Sequence, residues 1–409
     1  MIVAAGAAVV VFAGARLRLR GPGASTRALG RALVHLATAL GATFIKVGQI
    51  ASTRADLLPG PLIDELATLR DRVPPFPFAA VRRTVEAALG RPLEAAFAEF
   101  EREPVAAASV AQVHRATLSD GSVVAVKVRR PDIIEKIQLD RAILLPVARL
   151  LERLVPSLAL ISLEGALREF CRAVEAQTHL ANEAAHNARF TANFAGDPDV
   201  RFPRLHPAYS ADAVLTMEFV DGVQEDALAA SGLDVRRVVA AGMRGVCRMI
   251  FLHGFVHADL HPGNLRFVAP GGIVLLDLGL VGELTDAERL NFAELIHALA
   301  TGDGPTVARL FHVHAPSTAT RDYAAYEREI TAFVDGVRER GMANLQITLE
   351  IGRIFDILRR HRVQARSHMT MVNLALMTAE GLGKRLAPEL SLTDAALPYL
   401  VEALNPPAS

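Results

Sequence analysis

Residues 105–128, VAAASVAQVHRATLSDGSVVAVKV, interrupt a chain whose apolar residues elsewhere recur mostly at helical spacing. Here two β-rich runs flank Ser119-Asp120-Gly121, and that flanking is a hairpin signal. Helical spacing precedes the hairpin over 28–53, 62–71 and 78–89, with VPPFPF as a breaker. Long helical patterns follow at about 132–155 and 161–192. A strand over Ala213–Phe219 ends in EFVDG, and Val235–His253 reads as a helix. Strands at Leu265–Val268 and Ile273–Leu276 follow, and everything from Thr285 onward reads as helical. Helices, a small antiparallel sheet and a mostly helical half predict an α+β architecture of two lobes.

Bulk properties exclude some classes. The 44 basic and 44 acidic residues cancel, so no global positive field argues for nucleic acid. Hydrophobic residues make up 51% of the chain, enough for a sizeable core. Cys171 and Cys247 have no metal-ligand spacing, which suits a reducing, cytosolic environment; the expected location is a bacterial-type cytoplasm or the cytoplasmic face of the membrane. Ile2–Ala15 is apolar and is followed by RLRLR at 16–20. That run is shorter than the ~20 residues that span a bilayer. It also lacks the leading charges and cleavage site of a signal peptide. An anchor, an interfacial segment and a buried hairpin all remain open.

The chemistry concentrates in GFVHADLHPGN, residues 254–264, where polar groups crowd between two apolar runs. Asp259 and Asn264 have the spacing of a protein-kinase catalytic loop, HRDxxxxN. There the aspartate orients the acceptor and the asparagine ligands a metal. Asp277-Leu278-Gly279 follows at a strand end, where a second metal-binding aspartate belongs. Magnesium takes hard oxygen ligands, which an amide and a carboxylate supply. Taken alone, the same loop also fits a hydrogen-bonded turn, or a metallohydrolase using His257, Asp259 and His261. Lys127 in VAVK lies on the second hairpin strand, as a phosphate-holding lysine would, and Glu183 in LANEAAHNARF is the acid that would orient it. Singly, each also reads as an ordinary solvated side chain. Where a glycine-rich phosphate loop should stand, the chain has Ala106-Ala107-Ala108-Ser109; alanines restrict φ and crowd an approaching phosphate.

Taken in order, FIKVGQIASTRADLLP (44–59), LRDRVPPFPF, the alanine-rich loop, VAVKVRRP, the catalytic loop and DLGLVGEL resemble the UbiB/AarF/ADCK family of atypical kinases, associated with ubiquinone biosynthesis. The resemblance runs from about Gly41 to Leu392, and its KxGQ motif falls on Lys46, Gly48 and Gln49. Lys46 and Gln49 share a helix face. A mid-helix glycine costs about 1 kcal/mol relative to alanine, so something must approach closely at Gly48. In the family this helix is implied to cover the cleft where a protein substrate would bind, which favours a small or lipidic ligand or ATPase-driven remodelling. The chain also departs from the family. Gln177 and His179 stand where relatives carry an ExD pair, leaving Glu175 as the substitute partner for Lys46. Leu260 replaces a frequent proline, and the usual C-terminal membrane-spanning pair is not expected.

The resemblance implies a two-lobed protein-kinase-like fold with a helical extension that carries KxGQ. Expected parts are an apolar and basic segment with linker (1–27), the extension (28–100), a kinase-like N-lobe with inserted helices (101–222) and a helical C-lobe (223–409). ATP and Mg2+ are the implied cofactors: Lys127, Glu183 and Asp259 in catalysis, Asn264 and Asp277 on metal. Residues 106–109 would face phosphate, and the backbone around Glu218 and Val220 would pair with adenine. The expected role is support of ubiquinone biosynthesis or membrane-lipid homeostasis. Implied partners are nucleotide, a quinone precursor or lipid with peripheral membrane contact, and a second copy as a homodimer. Two alternatives stay open: a small-molecule phosphotransferase resembling aminoglycoside kinases, and a catalytically weak nucleotide- or lipid-binding regulatory module.

Overall fold

A computed structural model describes residues 24–40, 44–45, 48, 52, 60–69, 74–154, 163–340 and 347–405. Ile2–Ala15, RLRLR, Lys46 and Gln49 lie outside the described residues. In chain order come α1 (Ala24–Leu40), α2 (Gly60–Leu66), α3 (Phe78–Leu89), β1 (Glu99–Phe100), β2 (Ala106–Ala107), β3 (Ala111–Thr117) and β4 (Val123–Arg129). Next are α4 (Ile133–Leu154), α5 (Leu163–Thr178), α6 (Leu180–Asn193), β5 (Val200–Arg201), β6 (Val214–Glu218), α7 (Val235–Phe251), β7 (Phe255–His257), β8 (Leu265–Val268), β9 (Gly272–Leu275) and β10 (Val281–Glu283). Helices α8 (Asp286–Thr301), α9 (Gly304–Val313), α10 (Tyr323–Arg340), α11 (Ile347–Arg360), α12 (Ser367–Leu386) and α13 (Leu392–Leu404) follow, and short helical turns at Leu93–Ala96, Pro207–Tyr209, Glu225–Leu228 and Pro262–Asn264 lie between the longer elements. They form two compact units: Met1–Ala188 with Pro203–Val220, and Arg189–Phe202 with Asp221–Ser409.

The first unit is organised by an antiparallel sheet of order β1-β3-β4-β6, with β2 paired to β3. The β3–β4 turn closes because Gly121 takes a φ of 82° and Asp120 Oδ1 accepts from the Ser122 amide at 2.8 Å. Along β4, Val124, Val126 and Val128 are fully buried in a core with Val81 and Val85 of α3. Alternation therefore turns Ala125, Lys127 and Arg129 to the opposite face. The extension has its own apolar cluster of Ala37, Leu62, Leu66 and Leu69, with Val34, Phe44 and Ile45 against it. Helical Gly48 joins it: a β-carbon there would collide with Leu69 Cδ1, so this glycine marks a close approach.

The helical pattern over 161–192 is two helices, not one. The Leu180 amide donates to Asp212 O (3.0 Å), where an unbroken helix would use the carbonyl four residues back. The break is imposed by a group distant in sequence.

In the second unit, β5 runs parallel to β9, β8 and β9 form an antiparallel hairpin, and β10 pairs with β7. Segment 189–202 belongs here because its carboxylates are pinned to α7. Asp199 accepts from Arg237 (2.6 Å) and Arg244 (2.7 Å), and Asp197 pairs with Arg248. Helix α8 begins with a capping box, Thr285 with Glu288. Helices α9 and α10 approach closely at Gly304, where a β-carbon would meet Thr331 Cα at 2.5 Å. Among the described residues, no helix is long and apolar enough to cross a membrane.

A buried polar network ties VPPFPF to the sheet. Gln112 Oε1 accepts from the Phe76 amide (2.9 Å), and its Nε2 donates to His114 Nε2 (2.9 Å). His114 Nε2 is therefore the acceptor nitrogen, and Nδ1–H donates to Glu101 O (2.8 Å). Burial pushes the His114 pKa below its ordinary value, so the folded state holds the neutral ring. The unfolded ring binds its proton below about 6.5, so stability is present above that pH and lost as pH falls. Urea denaturation at about pH 7.5 and 5.5 should give a lower midpoint at the acid end. His114→Gln should make that drop smaller; an identical drop in the variant would remove His114 from the account.

Candidate functional site

Lys127 and Glu183 form the most buried of the described ion pairs. Lys127 Nζ stands 2.8 Å from Glu183 Oε2 and 3.0 Å from Oε1. The side chains are only 9% and 5% exposed. Lys127 is presented by the alternation of β4, and Glu183 sits in the first turn of α6, where the helix dipole favours a negative group.

The start of α6 is itself fixed by Arg129, two residues beyond Lys127 on the same face of β4. Arg129 Nη1 donates to Asp212 Oδ2 at 2.6 Å and to Thr178 O at 3.2 Å. His179 Nδ1 meets the same carboxylate at 3.1 Å. Partial burial works against charge on Asp212, but hydrogen bonds from Arg129 and His179 outweigh it and hold the carboxyl below its ordinary pKa. Of the positions where the family carries acids, His179 thus pairs with Asp212, while Gln177 Nε2 is buried with no hydrogen-bond partner among the described residues. Glu175 accepts from Arg141 (3.1 Å), and its expected partner Lys46 lies outside the described residues.

The alanine-rich stretch is a strand and a tight turn. Ala106 and Ala107 pair with Val113 and Gln112, and the Ala108 amide donates to Ala111 O (2.8 Å), enclosing Ser109 and Val110. None of Ala106, Ala107, Ala108 or Ser109 has a positive φ, so the backbone here does not require glycine. Arg130 braces the turn, donating to Ala108 O and Pro74 O at 3.1 Å each while lying over the Phe76 ring. At the other end of the sheet, the Glu218 amide donates to Arg204 O (2.8 Å) and the Phe219 amide to Val123 O (3.3 Å); Val220 closes the first unit.

In the second unit the loop after β7 is built around His257, which is wholly buried. Its Nδ1 accepts from the Asp259 amide (3.2 Å), so Nε2–H donates to Leu276 O (3.1 Å). Burial pushes the His257 pKa down and keeps this neutral tautomer. Both ring nitrogens are thereby committed to backbone, which leaves none for a zinc ion in the HxDxH reading. His261 is exposed and accepts from the Gly263 amide at 3.1 Å. The two histidines hold the loop from inside and outside.

The β8–β9 ladder is extended by a bond from the Leu276 amide to Asn264 O (2.8 Å), which joins Asn264 to the residue before Asp277. Asn264 Nδ2 donates to Asp259 O at 3.0 Å, which fixes the amide and leaves its oxygen as the acceptor. Asp277 has a φ of 50°, uncommon for a residue with a side chain, and is bracketed by Leu276 O on His257 and Leu280 O on the Ala258 amide. One amide oxygen and one carboxylate fit a magnesium ion that takes its remaining ligands from phosphate and water.

Neither Asp212 nor Gln112 carries a local signal of its role; Arg129 stands in a quoted motif, and His257 was legible only as a metal candidate.

A model of the ABC1 atypical kinase-like domain matches residues 68–311, and one of the UbiB helical domain matches residues 330–391. Among solved structures, the chain is similar to Rv3197 of Mycobacterium tuberculosis, determined in complex with erythromycin. The TM-score is 0.54 at 21% identity, over 84% of this chain and 90% of that one, a likeness that shows the fold alone. The mixed helix-and-sheet, kinase-like architecture expected from the sequence is the one found. With these two domain models in succession, the chain belongs to the UbiB/AarF/ADCK family of atypical kinase-like proteins.

Proposed function

We propose that the protein binds Mg-ATP and transfers or hydrolyses its terminal phosphoryl group, in support of isoprenoid-quinone biosynthesis or membrane-lipid homeostasis. The observation that carries the reading is the buried Lys127–Glu183 pair, in a chain of kinase-like family. Lys127 contacts phosphate, and Glu183 holds its ammonium in place. Ala106, Ala107, Ala108 and Ser109 cover the phosphates as a braced turn, and the backbone at Glu218 and Val220 pairs with adenine. Asn264 and Asp277 hold magnesium, which when bound neutralises phosphate charge. Asp259 orients the attacking hydroxyl or water and accepts its proton. The acceptor class proposed is a quinone precursor or lipid met by peripheral membrane contact. The membrane contact is assigned to Met1–Ala15 and RLRLR, the KxGQ residues Lys46, Gly48 and Gln49 to covering the cleft, and a homodimer to the assembly.

Two substitutions separate binding from chemistry. Asp277→Asn removes a metal-binding charge, so magnesium-dependent thermal stabilisation by ATP should largely vanish. Asp259→Asn should keep that stabilisation while turnover falls about 10²- to 10⁴-fold. Equal loss of nucleotide binding in both variants would contradict these roles.

A third substitution tests positioning. Asp212→Ala leaves the backbone carbonyl that receives the Leu180 amide but releases Arg129 and His179. Turnover should drop about tenfold, about 1.4 kcal/mol of transition-state stabilisation, with Asp212→Glu recovering part of it. A stability loss with unchanged turnover would make the cluster structural only.

A further inference from the structure

The second unit carries a cleft of about 340 Å³ between the start of α8, the end of α9 and the segment leading into α12. No residue assigned to nucleotide lines it. Its volume falls within the range of about 300–1,000 Å³ usual for small-molecule sites. Phe292, Leu295 and Leu310 supply buried apolar surface, with Phe311 and Met369 beside them.

Thr285, Glu288, Asn291, His314, Gln364 and Arg366 supply the polar part of the lining, and most are matched to one another or, as Gln364 is with Ser317, to a neighbour. Arg366 Nη1 pairs with Glu288 Oε1 at 3.0 Å, and Arg366 Nε donates to His314 O at 2.7 Å. Glu288 Oε2 in turn accepts from the Thr285 amide and hydroxyl. The guanidinium and carboxylate thus offset each other, and an ionic ligand would find no opposite charge to offset its own desolvation. Asn291 Nδ2 and His314 Nδ1 meet at 3.4 Å, the long end of a hydrogen bond, so either can exchange this contact for a ligand group.

We infer that this cleft binds an uncharged, largely apolar small molecule whose hydrogen-bonding groups are met by Asn291 and His314. The cleft is connected to the loop that carries Asp259. Thr285 follows β10, β10 pairs with β7, and the Leu284 amide donates to Gly254 O at 2.7 Å. A ligand seated at the start of α8 therefore bears on the strand that leads into that loop.

The probe is N-phenyl-1-naphthylamine, an uncharged dye that fluoresces in apolar surroundings, titrated against the full chain with and without Mg-ATP. Saturable one-to-one binding that Mg-ATP does not displace is expected. Ala315→Phe, which fills the cleft, and Asn291→Leu, which removes one of its hydrogen-bonding groups, should each weaken binding about tenfold or more. Thermal unfolding identifies a variant that fails to fold, and the other then decides. Absence of saturable binding, displacement by Mg-ATP, or unchanged affinity in the folded variants would each overturn the assignment.

Discussion

A lysine and a glutamate almost wholly removed from water set the terms for the first unit. Taking either charge from solvent costs several kcal/mol, and an apolar pair of similar volume is often as stable. Stability alone therefore gives no reason for Lys127 and Glu183 to be there. Their geometry depends on two other features. Alternation along β4 puts three valines into the core and leaves Lys127 and Arg129 together on the other face. Arg129 and Asp212 then end α5 and start α6 where Glu183 can reach the lysine with both oxygens. The break also places Glu183 in a first helical turn, where the helix dipole favours its charge.

The backbone explains the alanines better than composition does. A phosphate loop built on glycine needs angles or approaches that a β-carbon obstructs. The stretch from Ala106 to Ala111 does not ask for such angles: two residues pair as a strand and the rest close a tight turn with ordinary φ. Arg130 supplies the rigidity, since it holds Ala108 O and Pro74 O at once. The one left-handed residue among the proposed nucleotide and metal groups is Asp277, where a short polar side chain tolerates that conformation better than most.

What the sequence made legible followed from local rules. The 105–128 hairpin could be read because strand periodicity and the Ser-Asp-Gly turn are local. Asp259, Asn264 and Asp277 were singled out by spacing, and Glu183 by motif order; of these, the pairing of Glu183 with Lys127 is seen directly. The helix break at His179 was not legible, because its cause is Asp212, 33 residues away. Nor was the membership of 189–202 in the second unit, since Asp197 and Asp199 find their arginines on α7, up to 51 residues on. Gln112 carried no sequence signal either: it is buried with its amide bonded to the backbone of Phe76, 36 residues away.

The loop GFVHADLHPGN holds two histidines for opposite reasons. A buried neutral imidazole can hold two backbone segments in fixed register, because one nitrogen donates while the other accepts. His257 uses this to fasten the start of the loop to Leu276, one residue before Asp277. His261 needs only one nitrogen, accepting from Gly263, and keeps its ring outside. Asn264 then ties the far end back to Asp259 O. The loop is thus held at both ends, and both backbone groups of Asp259 are engaged within it. Protonating His257 would force its Nδ1 to donate where it now accepts from the Asp259 amide. Acid therefore opposes the loop's geometry at the residue that fixes it.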